Sequence, residues 1–174
     1  MILYPDIYLK NVKEITYEML QKRNIKGLIL DVDNTLIDYY KNMPDGVEAW
    51  CKDLQNKGIK FCIASNSNKK EKVKGVSIKL GIPYIYFAKK PLKIGLNKAK
   101  NIMELKKEEV AVVGDQIFTD VLGANRCSMT SILVEPIEEK DILITIIKRP
   151  IENLIKENYR KNNTKEGEIK NVYK

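Results

Sequence analysis

Asp31, Asp33, Asp115 and Asp120 stand in two short words, Asp31-Val-Asp33-Asn-Thr35 and Gly114-Asp115-Gln-Ile-Phe-Thr-Asp120, each directly behind an apolar run. Carboxylates gathered in one site raise one another's pKa and cannot all stay ionised without a cation. A hard, oxygen-ligated ion such as Mg²⁺ resolves that conflict, since it takes few protein ligands and keeps places for phosphate oxygen and water. Lysine supplies a compact positive charge for a phosphate dianion, and Lys89 and Lys90 lie together before Pro91. A carboxylate can also be a nucleophile, dividing one difficult displacement into two. Ser65 and Asn66 close another apolar run and add hydrogen-bonding groups. Phosphoryl transfer is governed by positioning and charge stabilisation, so such an assembly suffices for it.

Histidine is absent from the chain. That excludes Ser-His and Cys-His nucleophile pairs and any histidine proton relay. Cys51, Cys62 and Cys127 are scattered without the spacing of a zinc site or a disulfide framework. The net charge of +8 favours anionic partners, whether phosphates, nucleic acid or an anionic membrane surface.

These groups need a scaffold that brings distant words together. Four apolar runs end in polar residues: Gly27–Leu30 before Asp31, Lys60–Ala64 before Ser65, Val110–Val113 before Gly114-Asp115, and Thr130–Val134 before Pro136. Continuous apolar character is the mark of strands buried on both faces. Tyr84–Phe87 is a shorter candidate. Between the runs the spacing turns helical. Val47, Trp50, Cys51 and Leu54 follow Pro44 and stop at Gly58; Val73, Val76 and Leu80 stop at Gly81 and Pro83; Ile94, Leu96, Ala99, Ile102 and Met103 mark a third helix. Alternating strands and helices imply an α/β fold with a doubly wound parallel sheet. In such sheets ligands bind at the carboxyl ends of the strands, where strand order reverses, and that is where the polar words fall.

A chain of 174 residues, with 44% hydrophobic and 31% charged residues, is the size and composition of one soluble domain. The expected domain spans residues 1–156 and includes a C-terminal helical segment, with 157–174 as a polar tail. Within that segment Leu143–Ile151 is both apolar and basic, and Pro150 must kink it. No apolar run reaches the roughly 20 residues of a membrane-spanning helix, and the first residues lack a secretory layout. The expected location is cytoplasmic.

The wording of the motifs carries a resemblance. Asp31-Val-Asp-Asn-Thr-Leu36, Ser65, Lys90 and Gly114-Asp115…Asp120 resemble, in order, the four motifs of the haloacid dehalogenase superfamily of phosphatases. Ala88-Lys-Lys-Pro91 and Val113–Asn125 narrow the likeness to YqeG-type class IIIA phosphatases. The resemblance implies that Asp31 is the nucleophile and forms an aspartyl-phosphate, with Asp33 as general acid and base. It further implies Mg²⁺ held by Asp31, the Asp33 carbonyl and Asp115, with Asp120 in support. Ser65 and Lys90 would hold the phosphoryl oxygens, with Asn66 and Thr35 as helpers, and Lys89 matches the lysine position less well than Lys90.

One helix fills each gap in which members of the superfamily insert a cap domain, so an essentially capless, open site is expected. Such a site suits a phosphate projecting from something large. Some YqeG-type relatives act on phosphatidylglycerophosphate, and that lipid is the leading substrate expectation, with peripheral attachment at the inner face of an anionic membrane through Leu143–Ile151. The alternatives are a phosphatase on nucleic-acid ends or sugar phosphates, and a non-catalytic nucleic-acid or ribosome-associated module. Tyr39-Tyr40 fits either substrate contact or packing.

Overall fold

The computed structural model describes residues 2–138 and Glu157. A six-stranded sheet forms the centre, from β1 (Ile7–Leu9), β2 (Gly27–Leu30), β3 (Lys60–Ala64), β4 (Tyr84–Ile85), β5 (Val110–Gly114) and β6 (Thr130–Val134). Its order is β1-β6-β5-β2-β3-β4, and every pairing is parallel. From β2 the chain steps outward to β3 and β4, then returns to the other side of β2 for β5 and β6. The switch point is therefore the crevice between β2 and β5.

The helices are α1 (Tyr17–Lys22), α2 (Val47–Asn56), α3 (Lys70–Leu80), α4 (Lys93–Ile102) and α5 (Leu122–Arg126). Successive strand side chains point to opposite faces, and both faces are covered. Leu28, Leu30, Phe61, Ile63, Ala111 and Val113 pack with Val47, Cys51, Leu54, Val73 and Val76 of α2 and α3. Ile29, Cys62, Ala64, Val110 and Val112 pack with Leu96, Ala99 and Met103 on the α4 side and Ala124 of α5. Double-sided burial is why these strands read as unbroken apolar runs. Between β2 and β3 stands α2, and between β3 and the Lys90 loop stands α3. Among the described residues no cap domain interrupts the sheet.

Several expectations need correction. Ile94 and Ile102, assigned to the packed stripe of α4, are 63% and 49% exposed, and Gly95, Leu96, Ala99 and Met103 form the buried side instead. The strand expected over Tyr84–Phe87 ends at Ile85, because Phe87 takes a φ of +49° that no ladder accommodates. Helix α2 begins at Val47 behind Gly46, not at Pro44. β1 and α1 were not anticipated. Three residues and one and a half turns are too short to show a period, and β1 is fixed by tertiary bonds: Asp6 accepts from the Ser131 amide and hydroxyl at 2.8 and 2.9 Å. The Leu143–Ile151 stretch lies outside the described residues. No helix among the described residues is long and apolar enough to cross a membrane.

Candidate active site

The Asp31 amide donates to the Val113 carbonyl at 2.9 Å, carrying the β2–β5 pairing one bond past the last strand residue. That bond sets Asp31 beside Gly114-Asp115. Beyond Asp31 the chain doubles back: the amides of Thr35, Leu36 and Ile37 all donate to the Val32 carbonyl, and Asn34 takes a left-handed φ of +60° that asparagine tolerates. The turn buries Thr35, whose hydroxyl donates to Asp115 Oδ1 at 3.4 Å.

After β5 the backbone makes a π-helical turn, Ile117–Val121. Such turns displace one side chain from the regular helical face. Here the displaced carboxylate, Asp120, folds back over Gly114. A Cβ on Gly114 would lie 2.2 Å from Asp120 Cγ, so only glycine leaves room for that carboxylate. Asp120 Oδ2 accepts from the Gln116 amide at 3.1 Å and Oδ1 accepts from Lys90 Nζ at 2.6 Å.

Lys90 joins the two acidic words, since its Nζ also donates to Asp31 Oδ1 at 2.7 Å. Its backbone is clamped by Asn66, which accepts from the Lys90 amide at 2.7 Å and donates to the Lys90 carbonyl at 2.8 Å. A second close approach seats the loop: a Cβ on Gly95 would lie 2.3 Å from the Ala88 carbonyl oxygen, so α4 meets the loop backbone directly. The Lys90-Pro91 peptide is cis. Lys90 is buried whereas Lys89 is exposed, with its Nζ 5.0 Å from the centre of the Phe87 ring.

Burial dominates the electrostatics. It pushes the Asp31 carboxyl up, Lys90 pulls it back, Asp120 pushes it up again, and the balance is about 6. For Lys90, burial opposes the charge, but Asp120 and Asp31 outweigh it and hold the ammonium above the ordinary lysine range. Asp31, Asp115 and Asp120 each offer an oxygen within 4.8 Å of the others. With Lys90 counted, the four groups carry a net charge of minus two when ionised. An all-oxygen donor set of that charge fits a hard divalent cation, and Mg²⁺ in particular takes carboxylates plus substrate phosphate.

The structure thus brings Asp31, Asp115, Asp120, Lys90 and Thr35 into one buried cluster, with Asn66 fixing the lysine from behind. Ser65 is fully buried at the end of β3, and its Oγ accepts from the Ser67 amide at 3.1 Å. The Asp33 side chain stands apart. It is half exposed, at the edge of a cleft of about 570 Å³ lined by Tyr39, Lys41, Lys69 and Lys72 among others. Lys72 donates to Asp33 Oδ1 at 2.5 Å. Sequence reasoning missed Lys72. It lies in a lysine-rich stretch at the start of α3, and nothing in the linear order pairs it with a loop behind β2. Gly95 was missed for the same reason.

Comparison with known proteins bears on this geometry. A family model described as "Mitochondrial PGP phosphatase" matches residues 1–138. The "Probable phosphatase YqeG" of Bacillus subtilis (strain 168) is 45% identical over 152 residues, 87% of this chain and 88% of that protein. A "Phosphatidylglycerophosphate phosphatase 1, chloroplastic/mitochondrial" of Arabidopsis thaliana is 27% identical over 83% of this chain and 45% of that protein. Among solved structures, an uncharacterized protein from Listeria monocytogenes serotype 4b superimposes with a TM-score of 0.54 at 19% identity, covering 68% of this chain and 86% of that one, and shares the fold. The doubly wound sheet and its acidic switch point, with these relatives, define a phosphatase of the haloacid dehalogenase superfamily. Within it, the chain belongs to the family described as mitochondrial PGP phosphatase, alongside its YqeG-type relative.

Proposed function

We propose that the chain hydrolyses a phosphomonoester through an aspartyl-phosphate on Asp31, with Mg²⁺ as cofactor. The observation that carries this reading is the convergence of Asp31, Asp115 and Asp120 on one point, with Lys90 reaching between two of them. Asp31, Asp115 and the Asp33 carbonyl would hold the ion, with Asp120 supporting it. When bound, the ion supplies positive charge that lets the Asp31 carboxylate approach a phosphate dianion.

An Asp31 carboxylate oxygen attacks phosphorus while the bond to the leaving oxygen breaks. The electron pair goes to that oxygen, which takes a proton from Asp33. Asp33, now a carboxylate, removes a proton from water; the water oxygen attacks phosphorus and the bond to Asp31 breaks. Asp33 suits both duties because its side chain faces the cleft outside the buried cluster. Lys90 and the Ser65 hydroxyl hold phosphoryl oxygens, and Lys90 keeps Asp31 aligned.

The leading substrate is phosphatidylglycerophosphate. The family description, the Arabidopsis relative and the uncapped site support that reading, and an excess of cations suits it. The test is Mg²⁺-dependent phosphate release from the lipid in mixed micelles beside nucleotides, sugar phosphates and an aryl phosphate. Equal rates across the panel would remove the lipid assignment. Loss of turnover on every ester would remove the enzymatic one.

A further inference from the structure

The carboxyl end of the sheet carries an exposed apolar rim outside the buried acidic cluster. Tyr39 and Tyr40, in the loop beyond the nucleophile, are 65% and 64% exposed and meet edge to face at 5.6 Å. Tyr86 and Phe87, in the loop after β4, are also exposed, as are Leu92 and Ile94 just past it. Every one of these follows the carboxyl end of β2 or β4. The rim therefore lies at the same end of the sheet as the cleft that holds Asp33, and Tyr39 lines that cleft.

The second loop is built to present these groups. Phe87 and Lys89 have φ of +49° and +56°, the left-handed region that side chains other than glycine, asparagine and aspartate avoid. They alternate with buried Ala88 and Lys90. Two hydrogen bonds hold the turn, from the Phe87 amide to the Ser67 carbonyl at 2.9 Å and from the Ala88 amide to the Ser65 carbonyl at 2.8 Å. The conformation that sinks Lys90 into the site thereby projects Phe87 and Lys89 outward. Backbone strain of this sort persists where the surroundings over-determine it.

Lysines accompany the aromatic groups. Lys70 Nζ lies 5.8 Å from the Tyr86 ring centre and Lys89 Nζ 5.0 Å from that of Phe87. Lys41, Lys69 and Lys93 are exposed on the same end, and none of these five lysines has a carboxylate partner among the described residues. Lys69 and Lys70 also sit at the N-terminus of α3, where the helix dipole disfavours cations and welcomes anions. Aromatic rings that rest at headgroup depth, ringed by lysines that meet anionic phosphates, are what a membrane interface selects. Nucleic acid would meet the same charge, but it would want the rings in a basic groove that tracks a strand, whereas these rings stand on two separate loops at one end of the sheet.

We propose that this end of the molecule docks on an anionic phospholipid bilayer, with Tyr39-Tyr40 and Tyr86-Phe87 as two shallow prongs and the surrounding lysines on the headgroups, so that the cleft opens onto the lipid layer. The proposal deepens the lipid-phosphatase reading and rests on it for its purpose, while its test requires no turnover.

The experiment is co-sedimentation of the full chain with vesicles of phosphatidylcholine, with and without phosphatidylglycerol and containing no substrate lipid. Binding to the anionic vesicles and little to the neutral ones is expected. Phe87→Asn, which suits the positive φ, combined with Tyr40→Ser should weaken partitioning about tenfold, and Lys70→Gln with Lys93→Gln by a similar factor that added salt erases in the parent protein. A thermal melt by circular dichroism within a few degrees of the parent's certifies that the variants are folded. Absence of vesicle binding by the parent chain, binding of the variants equal to the parent's, or capture of RNA in place of vesicles would each overturn the docking surface. Vesicle binding without hydrolysis of any ester would instead overturn the phosphatase reading and leave the surface standing.

Discussion

Lys90 Nζ lies 2.6 Å from Asp120 Oδ1, in contact between side chains that are 2% and 1% exposed. The lysine belongs to the loop after β4 and the aspartate to the π turn after β5, so this one pair ties together loops on either side of the nucleophile. Removing one member of a buried pair leaves an uncompensated charge, which costs about 3–5 kcal/mol. Lys90→Met should therefore lower the urea midpoint strongly in EDTA, with part of the loss restored by Mg²⁺, and should cut kcat on an aryl phosphate by about a hundredfold or more. A variant with the parent's midpoint in EDTA would show that the lysine is not paired in solution.

Asp31 makes metal-free stability depend on pH. Its folded pKa of about 6 exceeds the ordinary 3.8, so between those values the folded chain keeps a proton that the unfolded chain has released. The stability contributed is present below 3.8 and is lost as pH rises through about 6. Asp31→Asn is neutral throughout and keeps the Lys90–Asp120 contact. In EDTA it should exceed the parent by up to about 3 kcal/mol above that range, with the gap closing in acid, while turnover vanishes. Chemical denaturation across pH checks both, and a gap that widened in acid would reverse the sign.

Metal binding has a readout of its own. A cation held at one hundred times its dissociation constant stabilises the fold by about 2.7 kcal/mol, so Mg²⁺ should raise the Tm of the parent protein by several degrees. Asp115→Asn removes an oxygen from the three-carboxylate cluster and should abolish most of that rise, while the Tm in EDTA falls little or increases. An undiminished Mg²⁺ response in the variant would place the ion elsewhere.

Gly114→Ala tests the close approach of Asp120. The added methyl would occupy the space of that carboxylate, forcing it off Lys90 and off the Gln116 amide. Overpacking of this kind costs about 1–3 kcal/mol, and the displaced charge should lower kcat by about tenfold or more while KM changes less. A crystal structure of the variant with Asp120 unmoved would refute the account.

Lys72 should behave as a positioning residue for Asp33. General acid–base catalysis is worth about 10²–10⁴-fold, and loss of the partner that aims the acid should lower the rate of Lys72→Met to about a tenth to a hundredth of the parent's. The loss should appear in kcat more than in KM, and Lys72→Arg should recover most of it. Equal rates in all three proteins would leave the contact without a catalytic role.

Much of the scaffold is legible in the linear sequence because burial on both faces imposes a local pattern. The apolar runs ending at Leu30, Ala64, Val113 and Val134 mark four of the six strands, and the words behind three of them supply the acidic residues and Ser65. Lys90 can be picked from Lys89-Lys90 by its place before Pro91; in the fold it is buried between two carboxylates, whereas Lys89 is exposed. Asn34 shows a limit: its carbonyl and side-chain oxygen accept from the amides of Ile137 and Glu138, seating the exit of β6 beside the nucleophile loop. No spacing announces a contact over that sequence distance.

Other decisions belonged to tertiary structure. Helical periodicity put Ile94 and Ile102 in the core, but the direct approach of Gly95 to Ala88 turns α4 so that both face water. The short strand β1 has no pattern of its own and exists through its pairing with β6. Lys72 gains meaning from the face on which α3 packs, which sets it against a half-exposed aspartate. Residue type and local period specify which groups can do phosphate chemistry and which segments can be strands. Which charges neutralise one another, and which apolar side chains stay outside, is a property of the packed sheet, because electrostatic and steric contacts depend on distance in space and not along the chain.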